Sequence, residues 1–357
     1  MDFDLSTDQI ALDDAAREFL DDECPPARIR GVHASGAGWD PELWSAMVDL
    51  GWLGVAVEEA EGGLGLGTVE LAVLLEQAGR HLVPVPLLPT VVALDLARAC
   101  DASDLVADLI GGRTACLAWS AENGAVRADG ERLTGRPDPV AFAPTADMAL
   151  VVAREGDVDA VFVVSLDGPL RPAAEPAMDL SRPIGWLHFD ATPARRLGGA
   201  DAAARLLDLA ATASSLELLG SASIALELAV EYAKDRVQFG RPIGSFQAVK
   251  HRCADMLVDV EGIRSSAYWS AWCFGADDPD RAIAASTAKT WAGDASKRVM
   301  ASALQVHGGV GFTWEHDLHL YMKRSQLDQV SFGDAVWHRA RLGRMLREKV
   351  DAGVSVL

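Results

Sequence analysis

The spacing of apolar positions along this chain changes period twice, and those changes divide it. Near the start, Leu12, Ala16, Phe19 and Leu20 recur at threes and fours and so share one helical face. Ser6 followed by Gln9 has the spacing of a capping box ahead of that helix. Asp40-Pro41 places a cap before a proline at the first helical position. Leu43, Trp44, Met47 and Val48 follow, and Gly51 is a natural stop. Gly62-Gly63-Leu64-Gly65-Leu66-Gly67 reads as a flexible loop. A helix over 69–79 should end before Pro84, Pro86 and Pro89, which forbid its continuation. Another short helix runs to Cys100.

From Ala115 to Phe189 the pattern shortens. Ala115-Cys116-Leu117-Ala118-Trp119, Ala149-Leu150-Val151-Val152-Ala153 and Val161-Phe162-Val163-Val164 are apolar runs of strand length between turn residues. Asp129-Gly130 is a turn signal between two of them. At Ala204 the helical period returns and holds to Asp235. Phe246, Val249, Cys253, Met256, Leu257, Val260 and Ile263 then mark a buried helical face. Asp278-Pro279 should cap a third helix running to Gly308-Gly309, and 336–350 a fourth. The expected fold is mostly α within the α+β class. It has an N-terminal helical domain over 1–112, a small β domain over 113–198 and a four-helix bundle over 199–357.

Composition narrows the function. Half of the 357 residues are hydrophobic, enough for a large core, and the apolar stretches look interrupted too soon to span a bilayer. The formal net charge of −20 repels nucleic acid and anionic lipid. An anionic substrate would need a local basic patch, for which Arg236, Arg241, Lys250, His251 and Arg252 are the candidates. The five cysteines are scattered without a paired spacing, as in reduced core positions rather than a disulfide frame or a metal site. Met1-Asp2-Phe3-Asp4 is acidic where a signal peptide is basic, so a cytoplasmic protein is expected.

Two polar breaks between helical patterns carry the candidate chemistry. One runs from Arg236 through Val237, Gln238, Phe239, Gly240, Arg241 and Pro242 to Gln247; the other is Gln305-Val306-His307-Gly308-Gly309-Val310-Gly311. Each sets a planar cation or amide beside glycines, which suits a diphosphate and a sugar. With Leu50-Gly51-Trp52-Leu53-Gly54 and Glu58-Glu59-Ala60-Glu61-Gly62-Gly63-Leu64-Gly65, these stretches resemble the signatures of the acyl-CoA dehydrogenases.

The resemblance implies FAD as cofactor and α,β-dehydrogenation of an acyl-CoA as the reaction. It implies that Arg236, Gln238, Phe239, Gln247, Gln305, Gly308 and Gly309 hold the ADP half of an FAD bound mainly by a neighbouring subunit. Plainer roles remain open: Arg236 as a surface ion pair, Gly308-Gly309 as a helix stop, Glu315 as a cap. His307 reads as a packed helix-end histidine rather than an acid or base.

The chain departs from the family at the base. The glutamate expected before the last helix is replaced in Ser331-Phe332-Gly333-Asp334, where Phe332 takes its position. The alternative base position on the first bundle helix falls at Ala210 and Ala211, and neither ionises. Asp208 lies roughly 200° around that helix, and Glu217 more than a turn later. In the β domain, Ala118-Trp119-Ser120-Ala121-Glu122-Asn123-Gly124 and Gly135-Arg136-Pro137-Asp138-Pro139-Val140-Ala141-Phe142 lack the flavin-facing pattern.

This half-kept pattern resembles the base-lacking subunit of actinobacterial acyl-CoA dehydrogenases that act, as two-by-two heterotetramers, on steroid side-chain CoA esters. It implies a homologous partner carrying the base and electron transfer to an electron-transfer flavoprotein. Two alternatives stand beside it: a self-sufficient dehydrogenase with Asp334 as base, and a silent scaffold subunit.

Overall fold

The computed structural model describes residues 4–354. The acidic reading of Met1-Asp2-Phe3 lies outside them. Chain contacts separate two compact units, one of residues 27–71 and 83–210, the other of 4–26, 72–82 and 211–354.

The first unit joins helices to the β-sheet. Its helices are α2 (Pro26–Ser35), α3 (Pro41–Asp49), α5 (Leu87–Ala99) and α6 (Ser103–Ile110). Asp40 caps α3 by accepting from the N–H groups of Glu42 and Leu43, and Arg28 pairs with the same carboxylate. Gly51, just past the end of α3, has φ +77°, a left-handed turn that suits glycine. α5 is apolar nearly all round, and most of its side chains are buried.

The glycine-rich 62–67 stretch is not a free loop. Gly63 N–H bonds Glu58 O, Leu64 N–H bonds Gly54 O, and Gly65 N–H bonds Val57 O, so its backbone is tied down over three successive residues.

The sheet is built on β5 (Met148–Glu155) and β6 (Val158–Ser165), an antiparallel hairpin with Gly156 in its turn. β1 (Ala115–Ala118) and β2 (Val126–Asp129) both run parallel to β5, and β3 (Arg132–Gly135) turns back on β2 around Gly130. β4 (Val140–Ala141) and β7 (Ile184–Gly185) pair apart from this sheet, and β8 (Phe189–Pro193) and β9 (Arg195–Gly198) close its two edges. Cys116, Leu133, Val151, Phe162 and Phe189 fill the core beneath it.

The second unit is helical: α1 (Thr7–Glu23), most of α4 (Thr68–Arg80) and of α7 (Ala200–Asp235), then α8 (Gln247–Gly275), α9 (Arg281–His307), α10 (Leu318–Val330) and α11 (Ala335–Asp351). The capping box of Ser6 and Gln9 starts α1. Gly79 and Gly220 let α4 and α7 approach backbone to backbone. A Cβ on Gly79 would run into the Glu217 carbonyl, and one on Gly220 into the Glu76 carbonyl. For that reason Gly79 lies inside α4 rather than ending it.

Three further expectations change. The helix after Asp278-Pro279 starts at Arg281; Asp278 instead closes a turn on the N–H of Asp280, which pairs with Lys349. Leu257 is half exposed, because the buried stripe of α8 runs through Met256, Val260, Ile263 and Ala267. By length and composition α7 could cross a membrane, against the reading that every apolar stretch is broken too soon; 89% of its most apolar window is buried inside the protein.

Candidate functional site

Arg236 follows directly on the last residue of α7. Beyond it, β10 (Val237–Gln238) pairs antiparallel with β11 (Arg241–Pro242) across a two-residue turn. Both turn residues are left-handed, Phe239 at φ +54° and Gly240 at φ +77°. Gly240 adopts this freely, but for a phenylalanine it costs on the order of 1 kcal/mol. Its ring meets only the edge of Phe246, centroids 6.2 Å apart, and Phe239 stays 92% exposed. A strained aromatic held out at the tip of a hairpin is a functional signal.

The base of the hairpin is firm. Arg236 N–H bonds Tyr232 O at 2.9 Å, and Ile243 N–H bonds Arg236 O at 2.8 Å. Arg241 lies over the ring of Phe246, 4.1 Å from its centroid. Phe246 precedes α8 without a side-chain cap, so the N–H groups of the first turn there, beside exposed Gln247, suit an anion. Arg236, Arg241, Lys250, His251 and Arg252 are all exposed.

The second stretch reaches the same end of the bundle. His307, the last residue of α9, stacks on Tyr232 of the last turn of α7, ring centroids 4.7 Å apart. Gln305, two residues earlier, is exposed. Gly308 has φ +61° and ψ −140°, and its N–H bonds Leu304 O, so it does end the helix. A Cβ on either Gly308 or Gly309 would meet no atom, which leaves the space over both glycines open. Val310, Phe312 and Trp314 follow, all exposed. The structure therefore brings Arg236, Gln238, Phe239, Gln247, Gln305, Gly308 and Gly309 to one end of one unit. Gln238 bonds its own neighbour, the Val237 carbonyl, at 2.8 Å.

The expected base positions hold no free acid. Phe332 is left-handed at φ +57° in the turn between α10 and α11. Its carbonyl lies 2.9 Å from His338 Nε2. Asp334 caps α11, its Oδ1 accepting the Trp337 N–H at 2.8 Å. Ala210 is fully buried and offers a methyl group. Asp208 and Glu217 are buried as well.

The comparisons with known proteins agree on one ancestry. Residues 6–99 match the family model "Acyl-CoA dehydrogenase, N-terminal domain", and 198–346 match "Acyl-CoA dehydrogenase, C-terminal domain". Acyl-CoA dehydrogenase FadE27 of Mycobacterium tuberculosis is 34% identical over 92% of this chain and 94% of its own. The chain belongs to the acyl-CoA dehydrogenase family. Among solved structures, the ChsE4–ChsE5 complex from Mycobacterium tuberculosis matches with TM-score 0.90 and 34% identity, over 98% of this chain and 99% of that one. A variant of the Tcur3481–Tcur3483 steroid ACAD matches with TM-score 0.89 and 34% identity, over 96% and 99%.

Acyl-CoA dehydrogenases bind FAD. The residues at this end of the bundle fit the anionic half of that dinucleotide: a permanent cation, exposed amides, an uncapped helix start and open glycines.

Sequence reasoning missed two groups. One is the ring pair on His307, Tyr232 and His316, since stacking across helix ends leaves no periodic trace. The other is Lys289, fully buried in α9, which donates to the carbonyls of Asp328 and Gln329. A lone lysine in the buried alanine stripe Ala284, Ala285, Ala288 and Ala292 was its signal.

Proposed function

We propose that this chain is one subunit of a heteromeric, FAD-dependent acyl-CoA dehydrogenase. It contributes part of the dinucleotide grip to a homologous subunit, and that partner supplies the catalytic base. One observation carries the reading: an outward-facing, cation-bearing grip at Arg236 coexists with a phenylalanine where the base belongs.

FAD, when bound, would supply the hydride acceptor for the β-carbon of the acyl thioester. This chain's own residues act at the other end of the cofactor. Arg236 sets a permanent charge against the diphosphate. Gln247 and Gln305 donate and accept toward adenosine. Gly308 and Gly309 let the backbone approach, and Phe239 covers an exposed ring edge. The α-proton must go to a carboxylate of the partner. Phe332 and Ala210 have no proton acceptor, and the Asp334 carboxylate is engaged as a helix cap.

The exposed apolar side chains Phe239 (92%), Phe312 (69%) and Trp314 (61%) flank the grip, as expected of a surface that a partner covers. The relatives favour the same arrangement: one structure is named as a complex of two proteins, the other as a steroid dehydrogenase. We take a bulky steroid-derived acyl-CoA as the substrate class and an electron-transfer flavoprotein as the acceptor.

The test is co-expression with the homologous subunit. The purified complex should be yellow and oxidise acyl-CoA, while this chain alone should be colourless and inactive. Arg236→Ala should weaken FAD retention by the complex about 10- to 150-fold, the cost of one charge-assisted contact. A flavin-loaded, active protein from this chain alone overturns the reading.

A further inference from the structure

The ring of His307 touches three elements at once. It stacks on Tyr232 of α7 at 4.7 Å with planes 27° apart. It meets His316 edge-on at 4.5 Å. Through its own backbone it ends α9 and leads into Gly308. Two of these elements carry the grip, and the third leads into α10. The Tyr232 carbonyl accepts the Arg236 N–H, and Gln305 lies two residues before His307. His316 Nδ1 accepts the N–H of Leu318 at the start of α10. A Cβ on Gly311 would sit 3.0 Å from the Cβ of His307, so the segment after the glycines folds back against the same residue.

The protonation state follows from one contact. His307 Nδ1 lies 2.8 Å from the Ala303 carbonyl, which can only accept, so Nδ1 carries the proton. Neutral, the ring presents a lone pair at Nε2. That nitrogen is buried with no hydrogen-bond partner, and the residue is only 3% exposed. A second proton would create a buried donor with no acceptor, next to another histidine.

We propose that His307 is a positioning residue, a clasp whose neutral ring holds the Arg236 hairpin at a fixed spacing from Gln305 and the glycine pair, and which acid releases. The inference rests on the function proposed above. The titratable groups packed on the ring are Tyr232, from α7, and His316, from the segment before α10. Burial lowers the His307 pKa most; the Ala303 carbonyl opposes this and His316 adds to it. The clasp is therefore complete above the ordinary histidine range and weakens as pH falls below that range.

The experiment uses the assembled, flavin-loaded complex. FAD dissociation is followed by flavin fluorescence between pH 8 and pH 5.5, with melting of the complex recorded in parallel. Wild type should lose FAD affinity between pH 8 and pH 5.5, with the loss setting in below the ordinary histidine range. His307→Phe keeps a stacking ring without a titratable nitrogen; it should bind FAD near the wild-type level at pH 8 and flatten the pH profile. His307→Ala should weaken FAD at both pH values, while His307→Gln, which keeps an N–H for Ala303, should recover part of that loss.

A His307→Phe complex with the wild-type pH profile overturns the proposal. So does a His307→Ala complex that melts early yet holds FAD normally. Arg236→Ala separates the two layers: if it too leaves FAD unchanged, the grip itself is wrong, whereas a loss in Arg236→Ala beside an unaffected His307→Ala sinks only the clasp.

Discussion

His338 Nε2 sits 2.9 Å from the Phe332 carbonyl, so the first turn of α11 holds the residue at the expected base position. Its Nδ1 lies 3.3 Å from Ser286 Oγ of α9. The ring is fully buried, and burial, with Lys289 and Arg341 adding to it, lowers its pKa to about 3. Below about pH 6.5 the unfolded chain takes up a proton here that the native chain refuses. Stability is thus lost as pH falls from about 6.5 toward 3. Between pH 7 and pH 4.5 the wild type should lose about 2–3 kcal/mol more than His338→Gln does, at about 1.4 kcal/mol per unit. Denaturant midpoints at the two pH values check this.

Asp334 separates the base-lacking reading from the self-sufficient one. Its carboxylate is a helix cap. Asp334→Asn keeps a capping oxygen and should change stability little, whereas Asp334→Ala should lose about 1 kcal/mol. Neither should alter turnover of the assembled complex. Abolished turnover in Asp334→Asn, with FAD still bound, would make Asp334 the base.

The crossing of α4 and α7 gives a prediction opposite to helix propensity. Gly220→Ala in mid-helix would ordinarily stabilise by about 1 kcal/mol. Here the new methyl group meets the Glu76 carbonyl and the Arg80 nitrogen, and Ser221 Oγ already bonds the Gly79 carbonyl at 3.1 Å. The helices have to separate, so the variant should be less stable by about 1–3 kcal/mol. Thermal melting would show it, and a rise in melting temperature would contradict this account of the crossing.

How much of this was legible beforehand depended on whether burial and polarity coincide. α3 was readable because Asp40, Pro41, Leu43, Trp44 and Gly51 each do the expected thing. The hairpin at Gly130 and the strands around Val151 and Phe162 were readable from short apolar runs. α10 was not, because it buries His319, Arg324, Ser325, Asp328 and Gln329, and a helix that hides its polar side chains shows no apolar period. The bundle expected to have four helices has this fifth one between α9 and α11. α2 was missed for the opposite reason: it buries only Ile29 and Val32. The grip residues were visible as a motif, but a phenylalanine is not a residue that marks a left-handed turn, and the stacking of His307 on Tyr232 joins distant chain and left no local mark.

Lys289 is what allows α10 to end inside the protein. The last carbonyls of a helix have no partner within it, and here Asp328 O and Gln329 O receive the Lys289 ammonium at 2.6 and 3.0 Å. Burial lowers the lysine pKa to about 7, although Asp328 and Asp334 oppose the shift and Lys297 adds to it. Between about pH 7 and the free-lysine value of about 10.4 the unfolded chain binds more protons than the native one, so stability should rise with pH. From pH 7 to pH 9 the gain from this residue should be about 2 kcal/mol. Lys289→Met fills the volume but removes the side-chain donor to the Gln329 carbonyl and leaves the Asp328 carbonyl only Ser214 Oγ, at 3.1 Å. It should be less stable than wild type by about 1–3 kcal/mol at pH 7, the cost of one unsatisfied buried acceptor, and the upward slope above pH 7 should vanish with it. Urea unfolding of both proteins at pH 7 and pH 9 measures the two effects together. An equal slope in the variant would mean that the ammonium does not titrate in its buried position and that α10 ends by some other contact.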